Sequence, residues 1–408
     1  MKRTSNLIPV LNALMAPSLR SRNNPDRVFW KLLERAGDQA GDHPPMHEAD
    51  IDGYRRLLAG FATAPGLSGL GWAMARGDVQ ARIANQMRIE ALHAAHPEIG
   101  REVIERPIVI VGLPRTGTTV THKVIAQSAG HRAPALWELM HTSLALPPRE
   151  EARLVRQIDQ VMRLVLRLAP SMRAIHPQAA AGADEDPFLL PHGAQHLARA
   201  PMRGYETWCY QRDYTRDYDL LKKAYQVLQH GREPQRWVIK SPTHLANLDQ
   251  IIRVFPDAQI VWMHRAPVTV MGSICSLVET SWQMHVHRPD PAEVGQMCLR
   301  MLPWMVERAR AARTVAPGQG RAAVPREQII DVPYHDVVVD KPHEKMPVLY
   351  DRLGAKWTAD DAARLGATMA RPTKRTHEYA IKWFGLNEDE VEQAFGDYSR
   401  VEAAMSFT

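Results

Sequence analysis

Residues Pro107-Ile-Val-Ile-Val-Gly-Leu-Pro-Arg-Thr-Gly-Thr-Thr119 decide the fold. An unbroken apolar run ends in a glycine-containing turn, and hydroxyl residues follow where a helix opens. That is how a chain builds a phosphate cradle: backbone N–H groups and the positive end of the helix dipole converge on an anion, and glycine lets the backbone approach closely. The spacing Gly112-x-x-x-x-Gly117 is that of a P-loop, yet Thr118 stands where a nucleoside triphosphatase carries its lysine, and the cation comes earlier, at Arg115.

Downstream of Ile108, short apolar strands alternate with helical stretches, which predicts an α/β fold with a P-loop-like parallel sheet flanked by helices. Strands are expected at 108–113, near 133–137, and at 237–240, 259–264 and 328–332. Helices are expected from Gly117 to about Ala129, from Leu245 to Val254 and from Pro267 to about Glu279. Upstream, residues 1–105 carry apolar positions at helical spacing, as in Val28-Phe-Trp-Lys-Leu-Leu33, and read as a helical N-terminal section. Residues 106–408 then form the α/β domain, interrupted over 151–235 by a helical insertion suited to recognising a substrate. The insertion contains a helix over 152–168 and an Ala/Gly/Asp loop over 177–187.

A second motif follows: Trp237-Val-Ile-Lys-Ser-Pro-Thr-His-Leu245, then Phe255-Pro-Asp-Ala-Gln-Ile-Val-Trp-Met-His-Arg265, then Ser273. With Pro114-Arg-Thr-Gly-Thr-Thr119, this resembles sulfotransferases that use 3′-phosphoadenosine-5′-phosphosulfate (PAPS), in their bacterial branch and with motifs similar to tyrosylprotein sulfotransferases. The resemblance covers roughly residues 106–386. It implies that Pro114, Arg115, Thr116, Gly117, Thr118 and Thr119 hold the 5′-phosphosulfate, and that Arg265 and Ser273 hold the 3′-phosphate. The chemistry agrees, since an arginine fork gives bidentate, charge-assisted bonds to a phosphate dianion and a hydroxyl adds a further donor.

The same resemblance assigns Lys240 to charge on the bridging oxygen and Tyr334 to the adenine, and lets Lys374 or Arg375 reach the 3′-phosphate. For the general base it offers Glu138, preceded by Leu136-Trp137, and His244, which lies 21 residues before Arg265. Glu138 is the preferred base, because apolar neighbours would raise a carboxylate's proton affinity toward what a base working near neutrality needs. Each residue also has a plainer reading. Arg115 could cap a helix, Lys240 could sit in a structural ion pair, His244 could bond to backbone, Tyr334 could be core, and Lys374 and Arg375 could be a solvated basic turn. The implied reaction moves a sulfuryl group from PAPS to a hydroxyl or amine of a small-molecule or lipid acceptor, releases 3′,5′-ADP and needs no metal. A P-loop kinase-like phosphotransferase and a non-catalytic nucleotide-binding protein remain open.

Composition restricts partners more than it names them. With 45% hydrophobic and 24% charged residues the 408-residue chain is an ordinary globular sequence, long enough for one enlarged domain or two units. Its formal charge of +6 comes from basic residues interspersed with acidic ones, which argues against nucleic acid. Three cysteines, Cys209, Cys275 and Cys298, have neither disulfide nor zinc spacing, and a reducing cytoplasm suits them. No transmembrane segment is expected, because no apolar run approaches the ~20 residues that span a bilayer. The start, Met1 to Ala16, reads as an amphipathic helix or arm, and apolar faces on the front helices would suit a homodimer or a peripheral membrane contact. Asp184-Glu-Asp186 reads as a solvated acidic loop, with acceptor recognition as the alternative, and His285 and His287 lack further ligands for a metal. Met172, Trp208, Trp282, Met284 and Trp304 could line an apolar acceptor pocket, although such residues at helical spacing are more often core.

Overall fold

Every residue of strand β1 (Ile108–Gly112) is buried, because β1 is the middle strand of a five-stranded parallel sheet. The computed structural model describes residues 4–175, 178–314, 323–369 and 381–407. The other strands are β2 (His131–Arg132), β3 (Arg236–Lys240), β4 (Gln259–His264) and β5 (Ile329–Pro333), in the order β2-β3-β1-β4-β5. Val109 pairs with Ile239 on one side and Ile260 on the other, and Ile260 pairs in turn with Ile329. A strand flanked on both edges and both faces reads as continuous apolar sequence rather than alternation. The chain leaves β1 toward one edge and later returns to build the opposite edge. The carboxyl end of β1 is therefore a topological switch point, where open α/β sheets bind ligands.

Two compact units make up the chain. One comprises Ile104–Ala133, Pro234–Ser276 and Gly295–Thr408 and contains the whole sheet. Its core joins Ile110, Val238 and Val261 of the strands to Val124 and Ile125 of the helix Thr118–Ala126. Leu349, Tyr350 and Phe407 belong to the same cluster.

The other unit comprises Met1–Val103, Pro134–Glu233 and Leu277–Val294 and is helical. Its long helix Gly69–Ala95 is capped by Ser68, whose hydroxyl accepts the Gly71 N–H at 3.0 Å. Buried polar residues lock its separate chain segments together. Arg82 donates to the carbonyls of Pro187 and Leu190 at 2.6 and 2.8 Å and pairs with Asp78 at 2.9 Å. Arg199 pairs with the same carboxylate, and the two guanidiniums hold Asp78 well below the usual carboxylate range against the opposing effect of burial. Buried charge is tolerated only when matched in this way.

Three local expectations need correction. Residues near 133–137 do not form a strand: β2 is only His131–Arg132, and Leu136–Met140 is a short helix. The Glu138 carboxylate accepts the Ala135 N–H at 2.9 Å, satisfying a donor that the helix start would otherwise leave open. The segment expected as one helix over 245–254 divides into a 3₁₀ turn, Pro242–Asn247, and the helix Leu248–Val254. The helix from Pro267 continues to His285, well past Glu279.

Candidate active site

Between β1 and the helix Thr118–Ala126 the backbone twice enters conformations that L-residues avoid. Gly117, at φ +86°, caps the helix, and an added Cβ there would meet Val338 Cγ2 at 2.7 Å and Tyr334 Cδ2 at 3.0 Å. Arg115 is left-handed too, at φ +73°, with no glycine to relieve the cost. Two bonds hold it in place: its carbonyl accepts Arg265 Nη1 at 2.7 Å, and its Nε donates to Ser273 Oγ at 3.1 Å. The Thr116 hydroxyl donates to the Leu113 carbonyl at 2.8 Å and closes the turn. Pro114 is half-buried at its mouth. The loop residues therefore lie within hydrogen-bond reach of Arg265 and Ser273, joining the two sequence motifs.

The neighbouring strands deliver their terminal residues to the same end of the sheet. Arg265 directly follows β4, and its guanidinium carbon lies 4.1 Å from the ring centroid of Tyr334, which directly follows β5. Lys240, the last residue of β3, is 1% exposed, and its Nζ donates to Thr119 Oγ1 at 3.2 Å. Thr118, beside it, is buried at the helix start. His244 sits in the 3₁₀ turn after β3 and is fully buried. Cationic and hydroxyl donors therefore converge from the loop and three strand ends, a set that suits an anionic ligand.

Glu138 belongs to the helical unit. Leu136 and Trp137 are buried as expected, but the carboxylate turns back to its own helix start and lies 3.7 Å from Arg232. Its surroundings combine a backbone donor and a cation, not only the apolar side chains foreseen. Lys374 and Arg375 lie outside the described residues.

A model of the sulfotransferase family matches residues 107–359, well over half of the chain. The chain belongs to the sulfotransferase family. Among curated proteins, this sulfotransferase is 24% identical over 271 residues to the omega-hydroxy-beta-dihydromenaquinone-9 sulfotransferase Stf3 of Mycobacterium bovis, covering 62% of this chain and 66% of that protein. The protein of the same name from Mycobacterium tuberculosis matches equally. The match thus spans just under two thirds of these relatives' length. Among solved structures, the sulfotransferase STF1 of M. tuberculosis superposes with a TM-score of 0.77 at 26% identity, covering 90% of this chain and 97% of that one. The sulfotransferase STF9 of Mycobacterium avium gives 0.79 at 24% identity, over 91% and 95%, and shares the fold.

Sequence reasoning missed a partly buried network beside Arg265. His264, the last residue of β4, bonds through Nδ1 to the Tyr398 hydroxyl and through Nε2 to Asp331 Oδ1, both at 2.9 Å. Asp331 also takes a bidentate pair from Arg313, at 2.8 Å for each bond. These bonds to His264 and Arg313 hold its carboxyl well below the usual range although burial opposes them. Burial pushes Glu402 upward, with His335 and Arg265 pulling the other way. Nothing in the sequence signals that Tyr398 and Glu402 return to the end of β4.

Several other sequence candidates make hydrogen bonds or packing contacts within the helical unit. Asp184 and Asp186 are buried rather than solvated: Asp184 accepts the Gln178 amide and Asp186 accepts the Tyr225 hydroxyl at 3.0 Å. Trp282 donates to the Leu197 carbonyl, and Met284 packs with Ile8 and Leu168, with Met172 beside them. Trp208 lies under Arg212. Among the described residues, no group of three or more His, Cys, Asp or Glu is placed to hold a metal ion.

Proposed function

We propose that this sulfotransferase transfers a sulfuryl group from PAPS to a hydroxyl of a small-molecule or lipid acceptor. The observation that carries the proposal is the left-handed Arg115 turn, fixed by Arg265 and Ser273, at the switch point of the sheet. PAPS supplies the activated sulfuryl group. The loop from Pro114 to Thr119 would bind its 5′ end through backbone N–H groups and hydroxyls. Arg265 and Ser273 would bind its 3′-phosphate, Tyr334 would face the adenine, and the basic residues Lys374 and Arg375 would add charge to the 3′-phosphate.

Sulfuryl transfer resembles phosphoryl transfer in needing position and charge stabilisation more than covalent help from the protein. Lys240 is suited to stabilise negative charge on the oxygen that leaves. Glu138 would take the acceptor's proton, and His244 is the alternative base. Metal is not required in this scheme, because cations of the chain face the developing charge.

A hydroxylated quinone lipid belongs among the first acceptors to try, given the substrate in the name of the Mycobacterium relatives. No helix of the described residues is long and apolar enough to cross a membrane. We place the enzyme in a bacterial cytoplasm on the strength of its buried thiols and of the mycobacterial relatives named above. The division at about residue 105, with 151–235 as the acceptor-side insertion, is part of the same proposal.

Calorimetric titration with 3′,5′-ADP in EDTA, against ATP as competitor, tests the donor assignment. Binding that depends on the 3′-phosphate is expected. Preference for ATP once Mg²⁺ is restored would refute it in favour of a kinase. Glu138→Gln is expected to abolish turnover while sparing nucleotide binding, and full activity in that variant would move the base to His244.

A further inference from the structure

We infer that the helix Pro148–Leu168, together with the N-terminal helix Leu7–Met15, is a docking surface for an anionic lipid bilayer. This inference stands independently of the sulfuryl-transfer reading. Arg149, Arg153, Arg156, Arg163 and Arg167 recur at intervals of three, four and seven residues, which puts them on one stripe of an α-helix. All five are exposed, and none makes an ion pair or a side-chain hydrogen bond among the described residues. Several other arginines of this unit are matched to acids, as Arg216 is to Asp50 and Arg82 to Asp78. The acids of the same helix do not neutralise the stripe. Glu150 and Glu151 lie in the first turn, where they complement the helix dipole, and Asp159 accepts the Ala180 N–H at 3.3 Å.

Large apolar side chains stand exposed beside this charge. Val161 is 47% and Leu164 52% exposed on the same helix, Leu164 three residues from Arg167. The N-terminal helix packs Ile8, Leu11 and Met15 into a cluster with Leu168, and Ser5 N donates to the Leu168 carbonyl at 2.8 Å. An adjoining face of this helix shows Leu7, Val10 and Leu14 to solvent, Leu14 at 73% exposure. Cationic stripes with adjacent unburied apolar residues match the interface of an anionic membrane, which attracts guanidiniums and accepts shallow apolar insertions. A second copy of the chain fits poorly, because a twofold contact through this helix would set the arginine stripe against itself.

Sedimentation of the full chain with phosphatidylcholine vesicles, with and without phosphatidylglycerol, tests the inference. Binding is expected only to the anionic vesicles, and it should weaken as salt is raised. The triple variant Arg156→Gln, Arg163→Gln, Arg167→Gln should lose about fivefold for each arginine, on the order of a hundredfold in all. The three lysine replacements should retain binding, and a circular dichroism melt confirms that each variant is folded. Leu14→Ser should lose roughly tenfold through removal of one inserted side chain. Failure to sediment with anionic vesicles, unchanged sedimentation of the folded glutamine variant, or capture by nucleic acid or acidic protein without vesicle binding would each overturn the assignment.

Discussion

Replacing Gly117 by alanine measures how tightly the loop is built onto the sheet. At φ +86° an L-residue costs about 1–2 kcal/mol, offset by the 0.4–1 kcal/mol that alanine gains through a less disordered unfolded chain. The new Cβ would also lie 2.7 Å from Val338 Cγ2 and 3.0 Å from Tyr334 Cδ2. Neither neighbour yields freely, since Val338 is part of the core cluster and the Tyr334 ring lies against Arg265. Overpacking of this kind costs about 1–3 kcal/mol, so the total is about 3 kcal/mol. Gly130→Ala is the internal control: Gly130 has φ +76° but nothing within 4 Å of its added Cβ, so it carries the backbone term alone. Urea unfolding of both variants should separate them by at least about 1 kcal/mol. Displacement of Tyr334 and Arg265 should also weaken 3′,5′-ADP binding in Gly117→Ala but not in Gly130→Ala. Equal destabilisation and equal affinity in the two variants would show that the loop does not rest on Tyr334 and Val338.

Arg265→Ala should lower 3′,5′-ADP affinity roughly 10–150-fold, the worth of a charge-assisted bond, with Arg265→Lys recovering only part of it. Unchanged affinity on calorimetry would remove Arg265 from the site. Gly71→Ala should destabilise by about 3 kcal/mol or more in urea unfolding although alanine is the better helix former by about 1 kcal/mol, because its Cβ would run into the His285 carbonyl. A gain in stability would refute that close approach. Burial pushes His285 down to about 4 from an ordinary 6.5, so folding favours its neutral form. Its contribution is complete above pH 6.5 and is lost as pH falls toward about 4, by up to about 3 kcal/mol. His285→Gln should therefore flatten the stability–pH curve over that window without abolishing the slope, since burial also lowers His192 and His196. An unaltered curve would contradict the burial of this imidazole.

Sequence alone was most informative where local chemistry and global position agree. β1, β3, β4 and β5 are apolar runs bounded by polar turns, and the ends of β3 and β4 carry the cations Lys240 and Arg265 that the motifs single out. It misled at Ala135-Leu-Trp, where apolar character suggested a strand, because a carboxylate three residues along can cap a helix start and periodicity cannot weigh that bond. Partners distant in the chain were equally illegible. Asp331 and Tyr398 meet at His264, with Arg313 joined through Asp331, from three separate segments, and nothing in their spacing announces it. The same holds for Asp184 and Asp186, whose charges suggested solvent while the fold supplied donors. Charge type is local information; whether a charge is matched depends on tertiary neighbours.

The position of β1 between two strands made much later has a consequence for biosynthesis. Ile108 pairs with Val238 and with Gln259, so neither edge of β1 can be closed until well over a hundred further residues have been made. At ribosomal rates of about 5–20 residues per second, that is roughly 7–30 s during which Ile-Val-Ile-Val stands open on the nascent chain. Loop closures of this length also slow folding after release. Yield of active protein should therefore respond to translation speed and to chaperones that bind extended apolar segments, more than to any surface substitution.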